Sequence, residues 1–241
     1  AGPFEMWDMI GVQKSTNRMR AEGKKIPKWV IEMLNLGRKS FYSIDNGAKT
    51  YWSPKGNSAV TIDQNPQIFN LALNKSGGHT LKRDLSASVN DMGDGILNVE
   101  FHSILQPRLN PIDSSYIEMI NHALDLIDEG KYQAVIIGHE GANFSAGANL
   151  NLFLELSQDN QWDTLDFAVK TFQNMTQRIR FSKGPVVAAP FQLTLGGGTE
   201  IIQPAAHRVA SAETYMGFVE MGVGLIPVSY THLRAHETFH D

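Results

Sequence analysis

The sequence predicts a mixed α/β protein, and three observations predict it. Short apolar runs of strand length stand at 96–101, 134–137 and 186–189. Two helix-length stretches, 114–129 and another through Leu165, Val169, Phe172, Met175 and Ile179, repeat apolar residues every three or four positions. The two kinds of segment alternate along the chain, which argues for α/β. That order alone does not separate a doubly wound sheet from a spiral of ββα repeats.

Residues 1–37 read as helical. Met6, Ile10 and Met19 mark one face, and Ile26, Trp29, Val30, Met33 and Leu34 another, with Pro27 near a helix start and Gly37 as a stop. The aromatic pairs Phe41-Tyr42 and Tyr51-Trp52 flank Asp45-Asn46-Gly47, a hairpin signal. Residues 53–80 scatter Pro, Gly, Asn and Ser without a sustained period, which is linker composition with one short helix at 67–73. Segments 85–89 and 96–101 read as strands around Asp94-Gly95. In 114–129, Ile117, Ile120, Leu124 and Ile127 share a face, Ser115 and Glu118 stand at capping-box spacing, and Gly130 is the stop.

Composition narrows the function classes. Of 241 residues, 42% are hydrophobic and 19% charged, as in a soluble globular protein. A formal net charge of -4 argues against a nucleic-acid partner. The absence of cysteine excludes disulfides, thiolate metal sites and a cysteine nucleophile, and it fits a cytoplasmic protein. No apolar run has the length of a membrane span. The start, AGPFEMWD, shows neither an initiator Met nor a signal-peptide pattern, so we expect a piece of something longer.

The chemistry concentrates in two glycine-bearing turns. LGGGTE at 195–200 follows the apolar run PVVAAP, and three consecutive glycines suit backbone that approaches a ligand closely or takes φ > 0. A helix opening there would aim free N–H groups at that ligand, with Glu200 in its first turn. No Gly-Lys-Ser/Thr follows, so this is not a P-loop. FSAGANL at 144–150 is a second small-residue turn into a helix. Its Ser145 lacks the Gly-x-Ser-x-Gly frame of a nucleophile elbow. Each turn alone has a bland reading as ordinary punctuation.

FSAGAN at 144–149, PVVAAP and LGGGTE at 185–200, and GFVEMGVGLIP at 217–227 together resemble the crotonase (enoyl-CoA hydratase/isomerase) family in order, spacing and content. LNPID at 109–113 resembles a further segment of that family, whose preceding loop helps bind CoA. The resemblance implies a crotonase-type ββα spiral acting on a CoA thioester, with no cofactor and no metal. It implies that Ala148 and Gly197 supply the two N–H groups of an oxyanion hole, with Phe144, Ser145, Ala146, Gly147, Gly196 and Gly198 around the substrate. Glu200 would hold and activate water, and Glu220 would deliver the α-proton. Two fixed donors suit the negative charge that water addition pushes onto a thioester oxygen, and two carboxylates suit the two proton movements. By that resemblance, keeping both glutamates favours hydratase over the family's isomerases, and other crotonase-fold acyl-CoA chemistry, as an isomerase or thioester hydrolase, is the alternative. Val219 and Asn149 depart from the usual Pro and Asp of the family.

Gly2-Pro3-Phe4-Glu5, Asp8 and Gly11 resemble a segment of the C-terminal helical domain of 3-hydroxyacyl-CoA dehydrogenases. The expected organisation is a dehydrogenase end at 1–52, a linker at 53–82, a hydratase domain at 83–227 and a non-native tail at 228–241. This chain lacks Gly-x-Gly-x-x-Gly, so NAD would belong only to a dehydrogenase domain upstream. The family's C-terminal helices, which build its oligomers, would be missing, and an inactive fragment is the non-enzymatic alternative. The parent protein is expected to be a homo-oligomer. In the tail, His232, His236 and His240 fall at helical i, i+4, i+8 spacing, and His236-Glu237 opens an H-E-x-x-H string. The abrupt change after Pro227 points instead to a foreign segment.

Overall fold

A computed structural model describes residues 2–45, 47–63, 65 and 68–227. The chain divides into two compact units, Ala1–His79 and Thr80–Asp241.

The first unit opens with α1 (Pro3–Ile10), α2 (Val12–Ala21) and α3 (Lys28–Asn35). Pro3 occupies the first helical position, where its missing N–H is harmless, and Glu5 accepts from Gly2 N at 2.8 Å. Gly11, at φ 94, ends α1 and begins α2. That break defeats the expected face: Met6 and Ile10 lie on one helix and Met19 on the next, and Met6 and Ile10 are exposed. The buried cluster is Val12, Val30, Met33, Phe41 and Trp52. Asp8 ties α1 to the strands, its carboxylate accepting from Phe41 N at 2.7 Å and Tyr42 N at 2.9 Å.

The expected hairpin is present as β1 (Tyr42–Asp45) and β2 (Ala48–Ser53), paired antiparallel, although Asn46 of its turn lies outside the described residues. Residues 53–80 are not structureless. β3 (Ser58–Thr61) pairs antiparallel with β2, and α4 (Leu71–Ser76) is capped by Asn70, whose Oδ1 accepts from Leu73 N at 2.9 Å. All four residues of β3 are exposed, so it carries no alternation to read. The expected helix start, Gln67, lies outside the described residues.

The second unit is built on a six-stranded sheet in the order β10-β8-β7-β6-β5-β4. Its strands are β4 (Thr80–Arg83), β5 (Ala87–Asp91), β6 (Ile96–Phe101), β7 (Ala134–Ile137), β8 (Val186–Ala188) and β10 (His207–Arg208). β4, β5 and β6 run antiparallel, whereas β6, β7, β8 and β10 run parallel. The parallel steps need crossovers. α5 (Ser114–Asp128) joins β6 to β7, and α6 (Leu150–Gln158) with α7 (Trp162–Arg180) joins β7 to β8. A two-stranded parallel ladder of β9 (Leu193–Leu195) and β11 (Tyr215–Gly217) stands apart from this sheet. α8 (Gly197–Ile202) leaves β9 directly, and a 3-10 turn spans Glu220–Val223.

Phe101, Tyr116, Met119, Ile137, Met175 and Ile201 are among the fully buried side chains of this unit's core. The α7 stripe is half-buried at Leu165, Val169 and Phe172 and becomes fully buried only from Met175 on. Two expectations shift. β5 starts at Ala87 because Leu85 is 74% exposed. The cap of α5 is Asp113, not a box at Ser115 and Glu118. Asp113 accepts from Tyr116 N at 3.0 Å and from Ser86 Oγ, while Ser115 bonds Asp84 and Glu118 pairs with Lys82. Asp113→Ala should lower the unfolding free energy by about 1–2 kcal/mol, the usual magnitude for losing an N-cap, as read by urea denaturation.

A polar ladder crosses four of these strands. Thr80 Oγ1 donates to Asn90 Oδ1 at 2.8 Å, Asn90 Nδ2 to Asn98 Oδ1 at 3.1 Å, and Asn98 Nδ2 to Gly138 O at 2.8 Å. Asn90 and Asn98 are buried, so these bonds replace water and fix β-strand register. The ladder ends on the residue that opens the loop leading to Phe144.

Candidate active site

Four chain segments converge. Ser145 bridges to Thr194 in parallel fashion, with Ser145 N donating to Leu193 O at 3.0 Å and Leu195 N to Ser145 O at 2.8 Å. Ile112 bridges to Ala148, and Ile112 N donates to Gly147 O at 2.9 Å. Gly196 N donates to Gly217 O at 2.9 Å, bringing in the segment that carries Glu220. Thr199 seals this corner: its hydroxyl donates to Thr194 O at 2.6 Å and accepts from Gly217 N at 3.0 Å.

The two glycine turns touch backbone to backbone. A Cβ built on Gly147 would stand 2.9 Å from Gly197 N and 3.0 Å from Leu195 O. One built on Gly198 would stand 2.8 Å from Ser145 O. Gly147 also sits at φ 91 and Gly196 at φ 52, a region other residues rarely adopt. The glycines are therefore required by contact as well as by torsion. Gly147→Ala should lose about 1–3 kcal/mol of stability, the range for overpacking, together with site geometry, measured by urea unfolding and by ligand binding.

Ala148 N and Gly197 N donate no hydrogen bond to any described residue. They belong to turns in van der Waals contact. Ala148 is exposed and Gly197 half-buried, whereas Gly196 and Gly198 are buried. Apolar atoms border the pair, since a Cβ on Gly197 would meet Ile112 Cδ1 at 3.1 Å and Phe172 Cζ at 3.6 Å. Phe144 and Ser145 are completely buried beneath the turn. The Ser145 hydroxyl is fully engaged, donating to Asn110 O at 2.8 Å and accepting from Gly147 N at 3.1 Å.

Gly196 neighbours the backbone of Glu200 and the side chain of Glu220. Glu200 is buried in the first turn of α8, and its N–H donates to Gly196 O at 3.1 Å. Glu220 Oε1 stands 3.1 Å from where a Cβ on Gly196 would lie. Its Oε2 is buried with no hydrogen-bond partner among the described residues. Among the described residues no group of three His, Asp or Glu could hold a metal ion, and no helix is long and apolar enough to cross a membrane. His232, His236 and His240 lie outside the described residues.

Sequence reasoning missed His139, and it singled out Asn110 only as part of LNPID, without a role behind the turn. Asn110 is buried at φ 47. Its Oδ1 accepts from Ser103 N at 2.7 Å, and its Nδ2 reaches Phe144 O at 2.9 Å and Phe101 O at 3.3 Å. His139 Nε2 stands 3.0 Å from Asn110 Nδ2 and 3.1 Å from Asn143 O. The ring packs among Phe101, Phe144 and Phe191 at centroid distances of 4.3, 5.5 and 5.1 Å. Burial drives its pKa from 6.5 down to about 4, opposed by the Asn143 carbonyl and by Glu100, while His102 pushes the same way as burial. The folded state thus holds a neutral ring, and unfolding takes up a proton between pH 6.5 and about 4. The associated stability is whole above pH 6.5 and should fall by on the order of 3 kcal/mol as the pH drops toward 4. Urea unfolding at pH 7 and pH 4.5 should show that His139→Gln loses this component of the acid sensitivity.

The fold and this pair of interlocked turns define an α/β protein in which two backbone N–H groups, on Ala148 and Gly197, are left without a partner among the described residues. The chain belongs to the enoyl-CoA hydratase/isomerase family, whose sequence model matches residues 105–237, a match running past Pro227 into the segment expected to be foreign. Among solved structures it is similar to an enoyl-CoA hydratase from Bacillus anthracis, at 24% identity and TM-score 0.53 over 60% of this chain and 55% of that one. It is also similar to one from Polaromonas sp. JS666, at 22% identity and TM-score 0.54 over 59% of this chain and 55% of that one. These likenesses support the crotonase-type fold of the second unit. Among curated proteins, "Probable 3-hydroxyacyl-CoA dehydrogenase" of Bacillus subtilis is 41% identical over 226 residues, 94% of this chain and 28% of that protein. A peroxisomal fatty acid beta-oxidation multifunctional protein of Oryza sativa is 26% identical over 136 residues, 56% of this chain and 18% of its own length. The chain thus spans under a third of these relatives.

Proposed function

We propose that this chain carries the hydration of trans-2-enoyl-CoA to 3-hydroxyacyl-CoA. The observation that carries the reading is the pair of unengaged N–H groups, on Ala148 and Gly197, with the Glu220 carboxylate near Gly196 and Glu200 buried in the first turn of α8. The thioester oxygen sits between the two N–H groups. Glu200 orients water and takes its proton as the oxygen bonds Cβ, and negative charge moves onto the thioester oxygen. Glu220 supplies the proton that Cα takes up, which closes the enolate back to a thioester. Each backbone donor of such a cradle contributes about 3–4 kcal/mol to lowering the barrier. The unpartnered Glu220 Oε2 suits a group that must face substrate rather than a structural cation. Ala146, Gly147, Gly196 and Gly198 contribute backbone walls, and Phe144 and Ser145 support them from below.

The first unit and the 41% likeness along nearly the whole chain support a second part of the reading: this chain is a portion of a bifunctional β-oxidation protein. The hydration product is a 3-hydroxyacyl-CoA, the substrate that a 3-hydroxyacyl-CoA dehydrogenase oxidises. NAD would serve that second reaction, and the hydration needs no cofactor.

Crotonyl-CoA hydration by the full-length protein tests this, followed as the loss of enoyl absorbance. Glu200→Gln and Glu220→Gln should each lower kcat by about 10²–10⁴-fold, the range for removing a general acid or base. Hydration that persists within tenfold of wild type in both variants would refute the assigned roles.

A further inference from the structure

The cradle's first turn is held from behind by a side-chain pair that its own motif does not contain. Segments 108–112 and 143–148 are laced together by Asn143 Nδ2 to Arg108 O at 2.6 Å, Ala146 N to Leu109 O at 2.8 Å, Ser145 Oγ to Asn110 O at 2.8 Å and Ile112 N to Gly147 O at 2.9 Å. Asn110 and His139 sit at the centre of this lacing. Asn110 has two amide hydrogens and three neighbours in reach: Phe101 O, Phe144 O and His139 Nε2. The tautomer decides how they are shared. With the proton on Nδ1, an N–H would be buried unpaired, because Nδ1 has no partner among the described residues. A buried orphan N–H is the rarer and more unfavourable defect, so the assignment that fits is Nε2–H donating to Asn143 O, leaving only a lone pair at Nδ1. Asn110 then has both hydrogens free for Phe101 O and Phe144 O.

We propose that His139 is a positioning residue for this reaction: through its Nε2–H bond to Asn143 O it fixes the 143–148 turn, and so the direction of the Ala148 N–H, without touching substrate. The proposal rests on the hydratase reading above. It accounts for a polar ring seated among three phenylalanines, where an apolar side chain would pack with less penalty. The titratable groups near the ring are Glu100 and His102, the two chain neighbours of Phe101 at the end of β6. The imidazolium would need an acceptor at Nδ1, where no partner stands among the described residues, so the neutral ring is the form that does this work. A misdirection of the donor by a fraction of an ångström acts on the developing oxyanion far more than on ground-state binding, so the effect belongs in kcat.

Three proteins separate this role from packing: full-length wild type, His139→Leu, and His139→Gln, whose amide nitrogen falls where Nε2 does. Two readouts are taken, steady-state crotonyl-CoA hydration and the infrared stretch of isotope-labelled butyryl-CoA carbonyl, a saturated thioester that cannot be hydrated. His139→Leu should lower kcat by about 10- to 100-fold with KM within about threefold, and the bound carbonyl stretch should move back toward its free-solution frequency. His139→Gln should restore both. A folded His139→Leu protein with wild-type kcat and wild-type carbonyl frequency overturns the proposal, and so does a His139→Gln protein as impaired as the leucine variant. If His139→Leu does not fold, His139→Asn takes its place, because its shorter amide cannot reach Asn143 O. Wild type that shifts the carbonyl but hydrates nothing would sink the hydratase reading and leave the positioning role standing. Wild type that does neither sinks both.

Discussion

The second unit's site depends on one steric constraint, the absence of a Cβ where Gly147 meets Gly197. Two turns from distant parts of the chain approach until one residue's Cα lies against the other's amide nitrogen. With that approach Ser145 joins β9, and Ala148 and Gly197 keep N–H groups that bond no described residue. A methyl group on Gly147 or Gly198 would press on the backbone of the opposite turn and force the two apart.

The constraint has a hydrogen-bonded foundation. A polar ladder of buried Asn90 and Asn98 delivers Gly138 in register, and Asn98 Nδ2 holds its carbonyl at 2.8 Å. From Gly138 the chain turns through His139 and Asn143 before reaching Phe144. Each of these side chains spends its polarity on backbone of a neighbouring segment rather than on solvent. That is the usual condition for keeping polar groups inside a core.

Much of this was legible in the sequence, and the reason differs by element. The helix at 114–129 and the strands at 96–101 and 134–137 announce themselves because each buries a regular stripe. The glycine turns are readable because glycine is the one residue that the contact tolerates, so the chemistry leaves a mark in composition. β3 was illegible because none of its residues is buried. The face read through Met6, Ile10 and Met19 failed because periodicity cannot see that Gly11 restarts the helix. Ser115 and Glu118 imitated a capping box while Asp113, two residues earlier, did the capping. The roles of Asn110 and His139 were illegible for a different reason. Their partners include main-chain carbonyls and a main-chain N–H, which have no letter in a sequence.

The ladder of β9 and β11 is only three residues long, yet it joins residues 193–195 to 215–217 and rests on a bridge back to Ser145. β9 and β11 are near each other in sequence, but the bridge from Ser145 to Thr194 is made across α6 and α7, and loop-closure entropy makes such a non-local contact costly. A ligand bound across the turns of Ala148 and Gly197 would, by mass action, stabilise that bridge and with it the folded unit.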